Sequence, residues 1–308
     1  MIELKNISKS FQKFKALEDV SLSIPDQCIF GLVGANGAGK STLFRILAGI
    51  YSQDDGAVRI DSEEVYENIP VKEKLHFVAD ELYFLPGASL NRMASFYKGM
   101  YKSFDMKRFE ALVETFGLNS KKSIHSFSKG MKRQAAIILA LSCCPKYLFL
   151  DETFDGLDPV IRNLVKSVIC QYVEEDGMTV VVSSHSLKEL EGLCDSLGLL
   201  YGGKLVFTSD VSELQSSFFK VQVAFASEYD ESLFDGINVL KYSRQGVVSN
   251  LIIKGDREET LLMLKKKEPV ILEMVPMSLE EVFTYELGSL GYSFDTDLLI
   301  NDGEDNEK

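Results

Sequence analysis

The sequence predicts an α/β protein. Its centre is a parallel sheet covered on both faces, with an antiparallel β portion ahead of it, a helical insert within it and a small α+β region after it. Three observations carry this reading. The runs CIFGLVG (28–34), KYLFLDE (146–152) and MTVVVSSH (178–185) have continuous apolar centres and alternate with helical stretches; strands with no wet face belong to a parallel sheet buried on both sides. In the first 30 residues, Ile2, Leu4 and Ile7, then Leu17, Val20, Leu22 and Ile24, fall at even or near-even spacing, as in antiparallel strands with one wet face. Residues 89–145 instead carry apolar side chains at three- and four-residue spacing and few β-branched runs, which is helical.

The elements follow in order. After CIFGLVG comes a Gly-rich turn and then TLFRILAGI (42–50), a helix that stops at Gly49. GAVRI (56–60) and HFVAD (76–80) read as strands. In and before the helical insert, about 84–145, aromatics are dense: Phe84, Phe96, Tyr97, Tyr101, Phe104, Phe109 and Phe116. They are either helix core or the lining of a groove for a partner helix. KYLFLDE then ends a buried strand in two acids, residues 159–176 read as a helix, and SLKELEGLCD (186–195) as another. LGLLYGGKLVFTS (197–209) makes two strands around Gly202–Gly203. FKVQVAFA (219–226), NLIIKG (250–255) and EETLLMLKKK (258–267) form the small α+β region. The expected organisation is a main domain at 1–215, an accessory region at 216–290, and an acidic tail at 291–308 that reads as solvated and disordered.

Composition narrows the partners. With 33 Lys+Arg against 46 Asp+Glu, the net charge of −13 repels a phosphate backbone, so nucleic acid is not an expected partner. Cys28, Cys143, Cys144, Cys170 and Cys194 show no C-x-x-C spacing; four of them sit in apolar runs and read as small apolar residues, and reduced thiols fit a cytoplasmic setting. The longest apolar runs, such as AAIILAL (135–141), are far below the roughly 20 residues that cross a bilayer. Work at a membrane would require another chain to hold this one there.

The segment GANGAGKST (34–42) matches G-x-x-x-x-G-K-[ST], a phosphate-binding loop between an apolar strand and a helix. Gly34, Ala35, Asn36, Gly37, Ala38 and Gly39 let backbone N–H groups turn inward toward phosphate oxygens. Lys40 can reach the β- and γ-phosphates, the Ser41 hydroxyl can ligate Mg²⁺, and Ser41 and Thr42 open a helix whose positive end faces the anion. KYLFLDE supplies the complementary acids. Asp151, at the end of its strand, can hold Mg²⁺ through water, and Glu152 can polarise a water for attack on the γ-phosphate. Acids often end strands, so this pair points to chemistry only beside the loop. Together they define the core as a P-loop NTPase.

Between these motifs lies SFSKGMKRQ (126–134). Here the chain resembles the ATP-binding cassette (ABC) ATPases, with Ser128, Lys129 and Gly130 standing where that family has its signature, usually LSGGQ. Phe127, Lys129 and Met131 depart from the commonest form, while the hydroxyl of Ser128 and the glycine at Gly130 are kept. DETFDGLDP (151–159) resembles the family's D-loop, with Asp158 at the position that bridges subunits, and VVVSSHSLKELEGLCD (180–195) its switch-histidine region, with His185 placed to touch the γ-phosphate. Phe11 falls where the family stacks an aromatic on adenine; packing in the β core is the alternative. His76 and His125 have no role in this pattern. At the end of HFVAD the family usually has Gln; here Asp80 stands there, with Glu81 beside it, and a carboxylate at that position could contact Mg²⁺ or its water, repel the γ-phosphate, or alter coupling to the partner. The resemblance covers about residues 1–215, and PMSLEEVFTYELG (276–288) is similar to the closing helix of exporter-type cassette subunits.

The resemblance implies a head-to-tail dimer, with itself or with a second cassette chain, in which one subunit's phosphate loop faces the other's signature. ATP and Mg²⁺ would close the pair and hydrolysis reopen it. A membrane-spanning permease chain would receive the motion, placing this subunit peripherally on the cytoplasmic face of the cell membrane. The alternatives are a soluble cassette protein acting on nucleic acid or ribosomes, and a nucleotide-dependent regulator outside transport.

Overall fold

The computed structural model describes residues 1–289. The chain forms two compact units, Met1–Thr208 and one that begins at Ser209. The acidic tail expected at 291–308 lies outside the described residues.

The first unit opens with the antiparallel part. β1 (Ile2–Phe11) pairs with β2 (Phe14–Ile24) so that Ile2 faces Ile24, Leu4 faces Leu22 and Ile7 faces Val20. These apolar pairs stack on one face while Glu3 and Lys5 stay on the other, as strand periodicity requires. After β3 (Ile29–Val33) and α1 (Lys40–Leu47), β4 (Asp55–Ile60) and the two-residue β5 (Glu63–Glu64) complete a sheet of order β2-β1-β4-β5.

A short helix α2 (Ile69–Lys72) and β6 (Leu75–Val78) precede the helical insert. The insert comprises α3 (Leu90–Met100), α4 (Met106–Thr115) and α5 (Lys129–Ser142). Each begins on a side-chain cap, from Ser89, Asp105 and Ser128 respectively, which satisfies otherwise orphaned N–H groups. Every residue of α5 from Arg133 to Ser142 is buried, the mark of a helix enclosed on all sides. The aromatic stripe divides. Phe104, Phe109 and Phe116 are core, whereas Phe96 is exposed.

The chain then returns through β7 (Tyr147–Leu150), α6 (Pro159–Asp176), β8 (Thr179–Ser184), α7 (Leu187–Leu190), β9 (Ser196–Tyr201) and β10 (Lys204–Asp210). The second sheet has the order β10-β9-β3-β8-β7-β6. Its strands β9, β3, β8, β7 and β6 are parallel, and every residue of β3, β7 and β8 is buried. Because these strands run the same way, the residues after Val33, Val78, Leu150 and Ser184 emerge at one edge of the sheet, where α/β proteins place their ligands. One expectation is shortened. The helix expected over 186–195 spans Leu187–Leu190 only, because Glu191 leaves the helical backbone and Gly192 turns with a φ of 70°.

The second unit holds α8 (Val211–Ser217), β11 (Phe218–Ala224), β12 (Val239–Gln245), β13 (Val248–Lys254), α9 (Arg257–Lys265), β14 (Ile271–Val275) and α10 (Leu279–Ser289). Its sheet is antiparallel, in the order β12-β13-β11-β14, around Phe219, Val221, Val223, Leu251, Ile253 and Leu264. Before α10, Ser278 Oγ accepts from the Glu281 N–H and the Glu281 carboxylate accepts from the Ser278 N–H, a reciprocal cap. Leu279, Val282 and Phe283 pack inward. Among the described residues no helix is long and apolar enough to cross a membrane.

Candidate active site

The loop from Gly34 to Gly39 connects β3 to α1 and depends on two glycines. A Cβ at Gly34 would stand 2.4 Å from the Leu200 carbonyl oxygen on β9. Gly39 has a φ of 109°, and a Cβ there would lie 2.6 Å from the Ala16 carbonyl oxygen. Only glycine lets the backbone pass this close to its neighbours. Ala35 receives a hydrogen bond from the Ala38 N–H at 3.1 Å, which closes the curl. Asn36 and Gly37 form its exposed crest. Lys40 opens α1, is 5% exposed, and folds its Nζ back under the loop. There it donates to the Gly34 carbonyl and, at 3.2 Å, to the Ala35 carbonyl.

The same ammonium lies 3.0 Å from Glu152 Oε1, across the sheet edge, without the alignment of a hydrogen bond. Glu152 Oε2 lies 2.9 Å from His185 Nδ1. Asp151 is fully buried; its Oδ1 accepts from Ser183 Oγ at 2.7 Å, and its Oδ2 is buried with no hydrogen-bond partner. Ser183 Oγ also accepts from the Glu152 N–H at 3.0 Å, so one hydroxyl on β8 fixes both acids at the end of β7. Glu152 has a φ of 46°, a strained backbone for a residue with a side chain, of the kind that persists where surrounding structure enforces it.

The electrostatics separate the two neighbouring acids. Burial pushes the Asp151 carboxyl up; bonds from Ser183 and Ser41 oppose this, and the Glu152 and Asp80 charges add to it. Burial also disfavours ionised Glu152, but the His185 hydrogen bond and the Lys40 charge outweigh it and hold that carboxyl below the ordinary range. His185 is correspondingly raised by its bond to Glu152, against partial burial. Cation, carboxylate and imidazole therefore form one coupled chain, beside a carboxyl with an oxygen free for an electrophile. An orphaned acid oxygen and a nearby hydroxyl, Ser41, suit a hard divalent cation. Among the described residues no set of three or more His, Cys, Asp or Glu forms a self-sufficient metal cage, and Mg²⁺ commonly takes one or two carboxylates plus substrate phosphates.

The signature residues occupy a second neighbourhood. Ser128 caps α5 by accepting from the Met131 N–H at 3.2 Å, and Lys129 pairs with Asp155 at 2.7 Å. The Lys129 side chain runs over Gly156, and a Cβ on Gly130 would stand 3.0 Å from the Gly156 carbonyl oxygen. Asp158 caps α6, accepting from the Val160 and Ile161 N–H groups at 3.0 Å. Phe11 ends β1, 40% exposed, with its ring edge-on to Tyr51 at 5.5 Å, so it is not buried in the β core. Asp80 is half exposed, and its carboxylate lies 2.6 Å from Arg133 Nη2.

Sequence reasoning overlooked Ser183, Glu189 and Arg133. Glu189 is buried beside His185, accepting from Ser184 Oγ at 2.6 Å and lying 3.5 Å from Arg162. The signal for Ser183 and Ser184 was present, as two hydroxyls that follow the apolar run Val180–Val182. For Arg133 it was a cation just ahead of the apolar run Ala135–Leu141 in α5.

Known proteins resemble this chain in sequence and in fold. Residues 17–155 match the ABC transporter family profile. ABC transporter ATP-binding protein YtrB of Bacillus subtilis (strain 168) is 29% identical over 288 residues, 94% of this chain and 98% of that protein. The lantibiotic transport ATP-binding protein SrtF of Streptococcus pyogenes is 33% identical over 232 residues, 73% of this chain and 98% of that protein. The fold is shared with the solved dimeric cassette MJ0796 bound to ADP and Pi, at a TM-score of 0.63 and 22% identity over 68% of this chain and 98% of that one. The chain belongs to the ABC transporter family, as an ATP-binding and ATP-hydrolysing subunit.

Proposed function

We propose that the cluster of Lys40, Asp151, Glu152, Ser183 and His185 is the hydrolytic site of this subunit. The observation that carries the reading is the convergence, at one sheet edge, of a phosphate loop, a cation, two acids of opposite pKa shift and a histidine. The N–H groups at the start of α1 and Lys40 Nζ bind the phosphates of ATP. Ser41 and the free Oδ2 of Asp151 are the groups that would hold Mg²⁺, and bound Mg²⁺ would neutralise charge on the phosphates. Phosphate oxygens compete with Glu152 for Lys40, and Glu152, kept ionised, accepts the hydrogen bond of the attacking water. His185 donates toward the terminal phosphate, while its Nδ1 stays on Glu152. Phe11, exposed beside Tyr51, stacks on adenine. Asp80 pairs with Arg133 instead of facing this cluster's metal.

Ser128, Lys129 and Gly130 make their contacts with the Asp155–Gly156 turn rather than with the Lys40 cluster. In this reading they and Asp158 serve the site of a second cassette, so the working unit is a head-to-tail dimer. A membrane-spanning permease is the second partner, holding the subunit at the cytoplasmic face. Its docking helix would meet Ile69, Tyr83, Phe96 and Met100, which are between 44% and 77% exposed around the insert. The likeness to a lantibiotic transport ATP-binding protein supports a transporter of that kind, and the resemblance of residues 276–288 to the closing helix of exporter-type cassette subunits supports outward transport.

The test is direct. Glu152→Gln should bind ATP, dimerise and stall, whereas wild type turns over, read by single-turnover hydrolysis and light scattering. Equal single-turnover rates in the two proteins would remove Glu152 from the chemistry. Co-expression with a neighbouring permease should carry the tagged subunit into the membrane fraction; a wholly soluble subunit would defeat the transporter arrangement.

A further inference from the structure

Asp80 ends the segment after β6 and so belongs to the sheet edge that carries the nucleotide cluster, while Arg133 sits one turn after the Ser128–Gly130 segment on α5. Their charged groups meet at 2.6 Å, and Arg133 Nη1 also donates to the Asp80 backbone carbonyl at 3.3 Å. Arg133 is 2% exposed. A guanidinium that deep is held only if counter-charges meet it. Asp80 is the closer one, and Asp155 follows at 3.7 Å, itself bound to Lys129 at 2.7 Å. The four residues form an alternating chain: Asp80, Arg133, Asp155, Lys129. It joins three segments, namely the end of β6, the first turns of α5, and the turn that follows Asp151 and Glu152.

We propose that Arg133 is a positioning residue of the ATPase and that Asp80 acts as its counter-ion, not as a ligand of Mg²⁺. The proposal rests on the reading of the Lys40–Glu152 cluster as the hydrolytic site. The geometry favours it for two reasons. The Asp80 carboxylate is already committed to a buried cation by one short ion pair, and Arg133 has no second partner of equal closeness. The buried carboxylate oxygens without a hydrogen bond are on Asp151 and Glu152, whereas Asp80 is half exposed and turns its Oδ1 to Arg133. The pair then fixes where the Ser128–Gly130 turn stands relative to the strand ends of its own site. A shift of that turn would misplace what it offers to a second cassette, and small misplacements of positioning groups cost about 10- to 100-fold in rate.

The experiment is a double-mutant cycle on the full chain with Asp80→Asn, Arg133→Gln and the two together. Each single variant is expected to lower kcat by about 10-fold with KM for ATP within about twofold, and the double variant to fall no further than the worse single, because both break one interaction. Losses that multiply in the double variant would overturn the proposal. A second readout involves no turnover: the Mg²⁺ concentration that half-supports binding of a fluorescent ATP analogue. Asp80→Asn should leave it within about twofold; a rise of about 10-fold or more would make Asp80 a metal ligand and end the idea. If Arg133→Gln fails to give a cooperative thermal melt, Arg133→Lys replaces it in the cycle and the same criterion applies. A wild type with no ATPase at all would count against the site reading itself, whereas an active wild type with multiplicative losses counts against the pair alone.

Discussion

Glu152 and His185 share a 2.9 Å contact between Oε2 and Nδ1, and each moves the other's titration in the opposite direction. The hydrogen bond to Glu152 is the largest influence raising His185. Glu152 is lowered because His185 and Lys40 together outweigh the cost of its burial. The raised His185 contributes stability fully below its ordinary pKa, lost as pH climbs through the raised value; the lowered Glu152 contributes above the ordinary glutamate range, lost as pH falls through the lowered value. The charged pair therefore persists across the whole interval between them.

Glu152→Gln keeps the side-chain volume and removes the charge. Turnover should fall by about 100- to 10,000-fold, the range for a lost general base, with ATP still bound. The His185 ring should then titrate at lower pH, since its largest raising influence is gone. Imidazole chemical shifts followed across pH in both proteins would test this. An unmoved His185 titration would mean that the 2.9 Å contact does not couple the two groups in solution.

Lys40→Ala removes the cation that sits under the loop. Three contacts go with it: the two carbonyls at Gly34 and Ala35, and the ammonium facing Glu152. Charge-assisted hydrogen bonds are worth about 1.5–3 kcal/mol, so ATP affinity should weaken by about 10- to 100-fold. Glu152 should titrate higher, because the Lys40 charge is one of its lowering influences. Titration with a fluorescent ATP analogue measures the first effect. Unchanged affinity and turnover would take Lys40 out of the site.

Ser183→Ala tests the hydroxyl that holds both acids. Asp151 Oδ1 would lose a 2.7 Å donor and the Glu152 N–H a 3.0 Å acceptor, both in a buried place. Leaving such groups unpaired costs about 1–3 kcal/mol, or several degrees in Tm. Ser183 also opposes the upward push on Asp151, so the acid should become harder to ionise and the Mg²⁺ requirement should rise. Ser183→Thr retains the hydroxyl and should recover most of both losses. A Ser183→Ala protein with wild-type Tm and Mg²⁺ dependence would show the hydroxyl to be dispensable.

How far the sequence reveals this site depends on the kind of pattern. GANGAGKST could be read outright, because glycine spacing, Lys40 and the flanking apolar runs each impose a local condition that the loop then meets at Gly34 and Gly39. The strand at 146–152 and the helix at 159–176 were legible for the same local reason. The Asp80–Arg133 pair was not, since the residues stand 53 apart and only the packing of α5 brings them together. Ser183 lay in plain sight, but its partner Asp151 is 32 residues away, across adjacent strands. The helix expected over 186–195 overran because an apolar period continues through Leu190 and Leu193 after the backbone has turned at Glu191 and Gly192.

His76, given no role by its sequence, provides a test of burial. It is 6% exposed, packs against the rings of Tyr97 at 5.6 Å and Tyr101 at 5.2 Å, and its Nδ1 has no hydrogen-bond partner. Burial pushes its pKa down to about 4. In the unfolded chain it titrates near the ordinary value of about 6.5. Between those values the unfolded state binds more protons, so stability falls as pH drops from about 6.5 to about 4 and levels off below. The full effect is about 3 kcal/mol. His76→Phe keeps an aromatic against the two tyrosines and has no proton to gain. Urea unfolding from pH 7.5 to 4.5 should show wild type losing stability more steeply than the variant, with the gap opening below about pH 6.5. Carboxylates that titrate in the same window act in both proteins and cancel in the difference. Parallel curves would show that the neutral, buried state of His76 contributes nothing to the acid sensitivity of the fold.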